Sequence, residues 1–257
     1  MQSFWHFPPP DLVLSANEVH VWRAELEQPT WQIEKLAQTL SPDEKQRANR
    51  FYFERDRKKF IVGRGILRML LSSYSDIDPS RLQFSYSPRG KPAIANTDPK
   101  ARLEFNLSHS NGLVLYAISR DLQLGIDLEY IRPMQDAEQL AKRFFSPREY
   151  VLISSLPDEQ KQEAFFNGWT RKEAYLKATG DGLAGLAQVE VSLMPGDSAM
   201  LVSISGDASA ASRWDLYHLI PAPDYVAALA VAGKSGHLEL LDISALGENC
   251  RIITSPP

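Results

Sequence analysis

A short segment near residue 41 recurs near residue 146, and this repeat constrains the fold more than any other feature of the chain. Residues 41–44 (Ser-Pro-Asp-Glu) and 146–149 (Ser-Pro-Arg-Glu) both have the pattern of a helix that begins with a capping box. The same residue types follow both segments, 19 and 22 positions after the serine: Phe60 with Phe165, and Gly63 with Gly168. The constant offset of 105 residues predicts two similar halves. Chance agreement is the alternative, because few residues match.

Alternating apolar and polar residues follow each long predicted helix and indicate strands. These strands are predicted at residues 82–86, 102–107 and 113–118 in the first half, and at 189–193, 214–219 and 226–231 in the second. We therefore predict an α+β pseudo-dimer of two similar lobes, each with helices packed on a small antiparallel sheet. The boundary is placed near residue 124, which gives an N-terminal lobe of residues 1–124 and a C-terminal lobe of residues 125–257.

Two acidic residues lie on one face of a further predicted strand, at residues 125–129 (Gly-Ile-Asp-Leu-Glu). Because side chains alternate along a strand, Asp127 and Glu129 point the same way. Solvent-facing acids that alternate with core aliphatic residues are ordinary in a half-buried strand. The alternative is a magnesium site, since Mg²⁺ binds one or two carboxylates together with phosphate oxygens and water.

The second half also contains a helix whose face carries an aromatic residue, a carboxylate and an ammonium. Trp169, Glu173 and Lys177 are spaced four residues apart, and Gly180 is placed to end the helix. Glu173 and Lys177 could form a simple exposed ion pair. If the face is partly buried, Glu173 is instead a candidate metal ligand or general base, and Lys177 a phosphate contact.

Residues 106–112 (Asn-Leu-Ser-His-Ser-Asn-Gly) place small polar groups at the end of a predicted strand. A hydrolase with Ser108 and His109 is disfavoured, because neighbours on a strand face opposite ways and the Gly-x-Ser-x-Gly elbow is absent. His109 is either a turn residue or a donor to a phosphate or ribose. Lys91, in residues 90–92 (Gly-Lys-Pro), lies either in an ordinary turn or in a loop that presents it to an anion.

Positive charge is concentrated in residues 43–68, where nine basic residues, among them Arg47 and Arg50, face four acidic ones. The segment has a net charge of +5 in a chain of net charge −4. A solvated helical face is the simplest interpretation, and a patch for a polyanionic ligand or an acidic protein partner is the alternative. Nucleic acid is disfavoured because the whole chain is acidic.

The remaining composition indicates a cytoplasmic protein. No secretion signal and no apolar stretch of membrane-spanning length occurs, so we expect no membrane association. The single cysteine, Cys250, excludes a disulfide within the chain and suits a reducing compartment.

Four motifs in this order resemble the Sfp-type 4′-phosphopantetheinyl transferases: residues 90–92, 105–110, 125–129 and 169–177. The resemblance runs from about residue 41 to about residue 182. It implies transfer of the phosphopantetheine arm of coenzyme A to a serine of an acyl or peptidyl carrier protein, with release of adenosine 3′,5′-bisphosphate. It also implies a monomeric protein whose two similar lobes form a pseudo-dimer, with the active site between the lobes.

The resemblance assigns a role to each candidate residue. Asp127, Glu129 and Glu173 would hold Mg²⁺, with Glu173 or Glu129 as the base, and Lys177 would bind the pyrophosphate. The coenzyme A contacts implied are Lys91, Ser108 and His109 at the adenosine bisphosphate end, Arg47 and Arg50 at the 3′-phosphate, and Lys172 and Arg64 as further contacts. A coenzyme A binding module without chemistry and a magnesium-dependent phosphohydrolase are the competing hypotheses.

Overall fold

A computed structural model describes residues 4–9, 11–75, 77–95, 103–134, 136–234 and 236–243. It combines helices with several small sheets, which confirms the predicted α+β class. Cys250, Arg102 at the start of one predicted strand, and the end of the predicted second lobe lie outside the described residues. No described helix is both long enough and apolar enough to cross a membrane.

The helices occur in two groups, one in each half of the chain. They are α1 (Thr30–Thr39), α2 (Pro42–Ala48), α3 (Glu54–Tyr74), α4 (Ala137–Phe144), α5 (Pro147–Ser155), α6 (Asp158–Thr179) and α7 (Ala208–Ala211). Short 3₁₀ turns occupy Pro79–Arg81 and Leu183–Gln188.

Most of the strands belong to two larger sheets. The strands are β1 (Glu18–Glu25), β2 (Phe84–Tyr86), β3 (Pro92–Ile94), β4 (Glu104–Ser110), β5 (Leu113–Ser119), β6 (Leu124–Tyr130), β7 (Val189–Val191), β8 (Leu201–Ile204), β9 (Trp214–Leu219), β10 (Tyr225–Ala232) and β11 (His237–Asp242). One sheet has the order β11-β1-β5-β4 and the other the order β6-β10-β9, while β2-β3 and β7-β8 form separate pairs.

Both predicted capping boxes begin helices. Ser41 precedes α2 and Ser146 precedes α5, and in each case the glutamate three residues later accepts a hydrogen bond from the serine backbone N–H, at 3.0 and 2.9 Å. Each short helix is followed by a long one, α3 with 21 residues and α6 with 22. Gly180 ends α6 in the left-handed conformation, as predicted (φ 80°).

The two larger sheets pack face to face, with a long helix on each outer side. Alternate residues of β5 point either to the cluster that contains α3 or to the cluster shared with β6 and β10, so β5 is buried on both faces. On the far side, α6 contacts β6 and β10. The resulting order of layers is α3, four-stranded sheet, three-stranded sheet, α6.

The last described strand returns to the first half of the molecule. β11 pairs in parallel with β1, so a strand of the predicted C-terminal lobe lies in the sheet built mainly by the N-terminal lobe. The predicted sheets were antiparallel, and this parallel pair departs from that prediction. Parallel strands need a long connection, which the chain between β1 and β11 provides. The boundary near residue 124 stays a prediction.

Candidate functional site

A glycine brings the long second-half helix directly onto the strand that carries the acidic pair. A Cβ atom on Gly125 would lie only 2.2 Å from Ala174 O and 2.3 Å from Ala178 N. Any other residue would therefore push α6 away from β6. The close approach sets Asp127 and Glu129, two and four residues further along β6, against the last turns of α6.

Asp127 is the centre of a hydrogen-bonded group drawn from three elements. Its Oδ1 accepts hydrogen bonds from Lys177 Nζ of α6 at 2.6 Å and from Ser108 Oγ of β4 at 3.0 Å. Lys177 also donates to Ser108 Oγ, at 2.9 Å. Three residues that the sequence predicted as site residues therefore meet at one point.

Side chains join β4 and β6, which are edge strands of the two different sheets. Asn106 Oδ1 accepts from the Ile126 N–H at 3.0 Å, and Ser110 Oγ donates to Glu129 Oε2 at 3.2 Å. Both residues lie within residues 106–112, but the sequence alone indicated no role for them. Their period-two spacing with Ser108 on one strand face was the signal that they belong together.

The carboxylates of Glu129 and Glu173 both lie in an environment that disfavours a negative charge. Burial, and then the charges of Asp127 and Glu129, raise the pKa of Glu173 to about 7, although Lys177 opposes the shift. Burial and the charge of Asp127 also raise the pKa of Glu129. The three carboxylates are thus close enough to repel one another across a partly buried space.

The donor set fits a hard divalent cation. Asp127 Oδ2 is buried and has no hydrogen-bond partner, which is costly for a carboxylate oxygen unless a cation binds it. The ligand atoms of the trio are not compact, however. Among the described residues, the set of three whose ligand atoms all lie within 4.8 Å of one another is Glu18, His237 and Glu239. A cation held by Asp127, Glu129 and Glu173 together therefore requires side-chain rotation.

Comparison with known proteins decides the family. The chain is 52% identical over 233 residues to the 4′-phosphopantetheinyl transferase HetI of Nostoc sp. (strain PCC 7120), covering 91% of this chain and 95% of that protein. This chain belongs to the 4′-phosphopantetheinyl transferase superfamily. Residues 123–230 match that superfamily, and residues 17–120 match the N-terminal domain described for 4′-phosphopantetheinyl transferases. The family expected from the four motifs is confirmed.

Two further transferases show lower identity. The chain is 31% identical over 211 residues to the 4′-phosphopantetheinyl transferase psf-1 of Bacillus pumilus, which covers 82% of this chain and 87% of psf-1. It is 32% identical over 151 residues to the 4′-phosphopantetheinyl transferase Sfp of Bacillus subtilis (strain 168), over 59% of this chain and 65% of Sfp. Together, the two family matches described above cover both halves of the chain.

Three other residues that the sequence predicted for the site are Ser108 and His109 on β4, and Lys91. Ser108 is buried, whereas His109 is exposed on the opposite face of β4, as strand alternation predicts. Partial burial of its ring and the charge of Lys177 lower the pKa of His109. Lys91 Nζ donates to Ala178 O at 2.7 Å and to Leu124 O at 3.3 Å, so it reaches the end of α6 and the start of β6.

The basic residues of the first half divide into exposed and buried groups. Arg47 in α2 and Arg50 just after it are exposed, and the guanidinium of Arg47 lies 5.2 Å from the centre of the Phe60 ring. Arg64 was expected to contact coenzyme A, and Arg68 lies one turn further along α3. Instead both contact the buried Glu44, with Arg68 Nε donating to Glu44 Oε2 at 2.6 Å and Arg64 Nε lying 3.5 Å from Oε1. They bind a carboxylate of the protein itself.

The structure also corrects the role predicted for Lys172. Its side chain is 0% exposed, and its ammonium pairs with Glu149 at 2.6 Å and donates to the backbone carbonyls of Leu186 and Val189. All three N–H bonds therefore meet protein acceptors. Lys172 has no surface with which to contact coenzyme A, because the tertiary fold buries it beneath α5.

Proposed function

We propose that this chain transfers the 4′-phosphopantetheine group from coenzyme A to a serine hydroxyl of an acyl or peptidyl carrier protein. Family membership supports the reaction class, and its relatives bear the name 4′-phosphopantetheinyl transferase. The observation that carries the proposal is the convergence of Asp127, Glu129, Glu173, Lys177 and Ser108 where α6 and β4 meet β6. We place the active site there, between the two halves of a pseudo-dimer.

In the reaction, the carrier serine oxygen forms a bond to the phosphorus that carries the pantetheine arm. The bond from that phosphorus to the bridging oxygen of the pyrophosphate breaks, and adenosine 3′,5′-bisphosphate leaves. The serine proton must go to a base. The protein therefore has to neutralise the diphosphate, align the hydroxyl with the leaving group and accept one proton.

Asp127, Glu129 and Glu173 would hold a Mg²⁺ ion, with the unpartnered Oδ2 of Asp127 as the best-placed donor atom. When bound, the ion would neutralise part of the pyrophosphate charge. Oxygen ligands alone, without a sulfur or imidazole group, favour a hard cation such as Mg²⁺ over a transition metal.

Glu173 is the favoured base, and Glu129 is the alternative. Without a bound cation, burial and the neighbouring carboxylates raise the pKa of Glu173 to about 7, which favours proton uptake near neutral pH. A Mg²⁺ ion in the same group would reduce that shift. Glu129 is tied to Ser110 by a hydrogen bond, whereas none of the hydrogen bonds described for this group involves the Glu173 carboxylate. Glu173 is therefore better placed to move toward a substrate hydroxyl.

The cationic and polar residues would bind coenzyme A. Lys177 would contact the pyrophosphate, Ser108, His109 and Lys91 the adenosine bisphosphate end, and Arg47 and Arg50 the 3′-phosphate. To bind coenzyme A, the Lys91 ammonium would have to leave its hydrogen bonds with Ala178 O and Leu124 O, or share them with the ligand. Lys172 and Arg64 are omitted because their charges are paired with buried glutamates.

We further propose that the protein acts as a cytoplasmic monomer on acidic carrier proteins, without a role for nucleic acid or membranes. The net charge of +5 over residues 43–68 supports electrostatic steering of an acidic partner. Association with the carrier should then slow steeply as salt is added.

The test is an intact-mass measurement on several unrelated apo carrier proteins incubated with the enzyme, coenzyme A and Mg²⁺. We expect each accepted carrier to gain the mass of one phosphopantetheine group, and a carrier whose serine is changed to alanine to gain none. No gain on any carrier would overturn the proposal. Free phosphopantetheine formed without a carrier would support the phosphohydrolase instead, and coenzyme A binding without transfer would support the binding module.

A further inference from the structure

A second cluster of metal-ligating side chains lies on the four-stranded sheet, formed by β1 and β11. In the parallel register, Glu18 is opposite His237 and His20 is opposite Glu239. These four residues share one face of the sheet, since they are spaced two apart on each strand. Ligand atoms of Glu18, His237 and Glu239 all lie within 4.8 Å of one another.

Residues near the N-terminus bring a further imidazole to the same place. His6 forms a bridge with Leu241 of β11, and His6 Nε2 lies 2.7 Å from Glu239 Oε2. His237 Nε2 lies 2.5 Å from the other oxygen, Glu239 Oε1. Three of the five histidines of the chain therefore gather around two glutamates.

His20 gives an independent sign that this cluster binds a ligand. It is only 2% exposed, and its Nδ1 is hydrogen-bonded to Tyr74 Oη at 2.7 Å. Its Nε2 has no hydrogen-bond partner and lies 3.5 Å from Glu18 Oε1. An unpartnered buried ring nitrogen is costly, and a neutral imidazole nitrogen is the commonest protein ligand of metal ions.

We propose that Glu18, His237 and Glu239, with His20 and His6 beside them, form a binding site for a divalent transition-metal cation of the zinc class. Imidazole nitrogen together with carboxylate oxygen suits Zn²⁺ and its neighbours, whereas Mg²⁺ prefers oxygen alone. If His20 bound the metal through Nε2, its Nδ1–H would donate to Tyr74 Oη, as the outer nitrogen of a metal-bound histidine usually donates to a neighbour.

The dimensions of the cluster allow this. Ligands about 2.1 Å from a tetrahedral ion lie about 3.4 Å apart, so a separation within 4.8 Å closes with small side-chain rotations. A cleft of about 360 Å³, lined in part by His6, Glu18, His20 and Glu239, gives an ion access from solvent. The site is separate from the carboxylates on β6 and does not rest on the proposed transferase reaction.

Metal binding would join three segments that are distant in sequence: residues 4–9, β1 and β11. Because the ion would bind the folded arrangement and not the separated strands, it should stabilise the protein. The alternative is a set of ion pairs and hydrogen bonds that needs no metal.

The experiment uses the full chain, stripped of metal by a chelator and titrated with Zn²⁺ by calorimetry. Zn²⁺ could also bind the carboxylates on β6, so the titration is run in the Asp127→Asn, Glu173→Gln double variant as well. We expect one equivalent to bind to the double variant and to raise its melting temperature, whether or not the wild type binds a second equivalent. Zn²⁺ that binds with no defined stoichiometry, or not at all, would overturn the proposal.

Single substitutions locate the ligands. In the double-variant background, His237→Asn and Glu239→Gln should each weaken Zn²⁺ binding by at least about tenfold and remove the thermal shift. The matched control is Glu27→Gln, an exposed glutamate of the same half, which should change neither. His237 is exposed, so its substitution should leave the fold intact. Unchanged zinc affinity in both test variants would contradict the assignment.

Discussion

The two helix pairs, α2 with α3 and α5 with α6, both bury a capping-box glutamate, but they pair it with different cations. In each, the capping-box glutamate is only 3% exposed, and a cation from the long helix holds it at 2.6 Å. The cation is Arg68 in the first half and Lys172 in the second. At the offset of 105 residues, however, the counterpart of Arg68 is Glu173, and the counterpart of Lys172 is Leu67.

The cation of the second half therefore lies one residue earlier along its helix. Successive residues on an α-helix differ by about 100° in direction. With Lys172 pairing with Glu149, position 173 points instead toward Asp127 and Glu129, whose charges act on it. Both halves therefore contain the buried pair, and position 173 of the second half is left available for the acidic group.

The largest expected effect comes from position 173 itself. Glu173→Gln should lower the rate of phosphopantetheine transfer by about 10²–10⁴-fold, because the base is lost, while coenzyme A binding stays measurable. Rates are compared by intact mass of the carrier. Glu163→Gln, an exposed glutamate on the same helix, is the control and should keep the wild-type rate. Wild-type turnover in Glu173→Gln would remove that residue from the reaction.

Removing the cation from either buried pair should cost stability. Lys172→Met leaves the buried Glu149 without its cation, so the free energy of unfolding should fall by about 3–5 kcal/mol in urea denaturation. Arg68→Met should cost less, because Glu44 keeps its longer contact with Arg64. Changing Glu149→Gln together with Lys172→Met should recover part of the loss. A Lys172→Met protein with normal stability and a raised KM for coenzyme A would restore the role first predicted for Lys172.

The two buried glutamate–cation pairs show where prediction from the sequence succeeded and where it failed. The capping boxes, the long helices and the common face of Asp127 and Glu129 follow from local spacing, which the sequence displays directly. The burial of Glu44 and Glu149 depends on residues brought together by the tertiary fold. Arg64 and Lys172 were therefore assigned to coenzyme A, when their partners are carboxylates of the protein.

Contacts between distant strands were equally hidden from the sequence. The pairing of β11 with β1 joins residues more than two hundred positions apart, and no local pattern indicates it. The role of Gly125 is another case, because a side chain at this position is excluded only by the backbone of α6, which packs on β6 in the folded protein. Motifs reveal which residue types are present, but long-range packing decides which of them meet.

The close approach at Gly125 gives a third test. Gly125→Ala should lower the free energy of unfolding by about 1–3 kcal/mol, since the new methyl group overlaps the backbone of α6, and transfer should slow as the carboxylates separate from Lys177. Gly63→Ala in α3 is the comparison. There a Cβ would lie 3.3 Å from one leucine methyl, so helix propensity should offset most of the cost. Equal effects at both glycines would contradict the account.

The smallest effects are expected at the helix caps. Ser146 Oγ accepts a hydrogen bond from the Glu149 N–H at 3.3 Å, whereas Ser41 Oγ donates to Asp43 at 2.7 Å. Ser146→Ala should therefore cost about 1 kcal/mol of unfolding free energy, and Ser41→Ala less. Urea denaturation of the two variants measures the difference. A larger loss for Ser41→Ala would show that the two caps do not work as described.

The magnesium dependence of transfer tests the central claim most directly, namely that the acidic group on β6 and α6 serves the reaction. The initial rate is measured against Mg²⁺ concentration for the wild type, for Asp127→Asn, and for Asp121→Asn as an exposed control. We predict that Asp127→Asn needs at least about tenfold more Mg²⁺ for half its maximal rate, whereas Asp121→Asn matches the wild type. The same magnesium dependence in all three proteins would contradict the account.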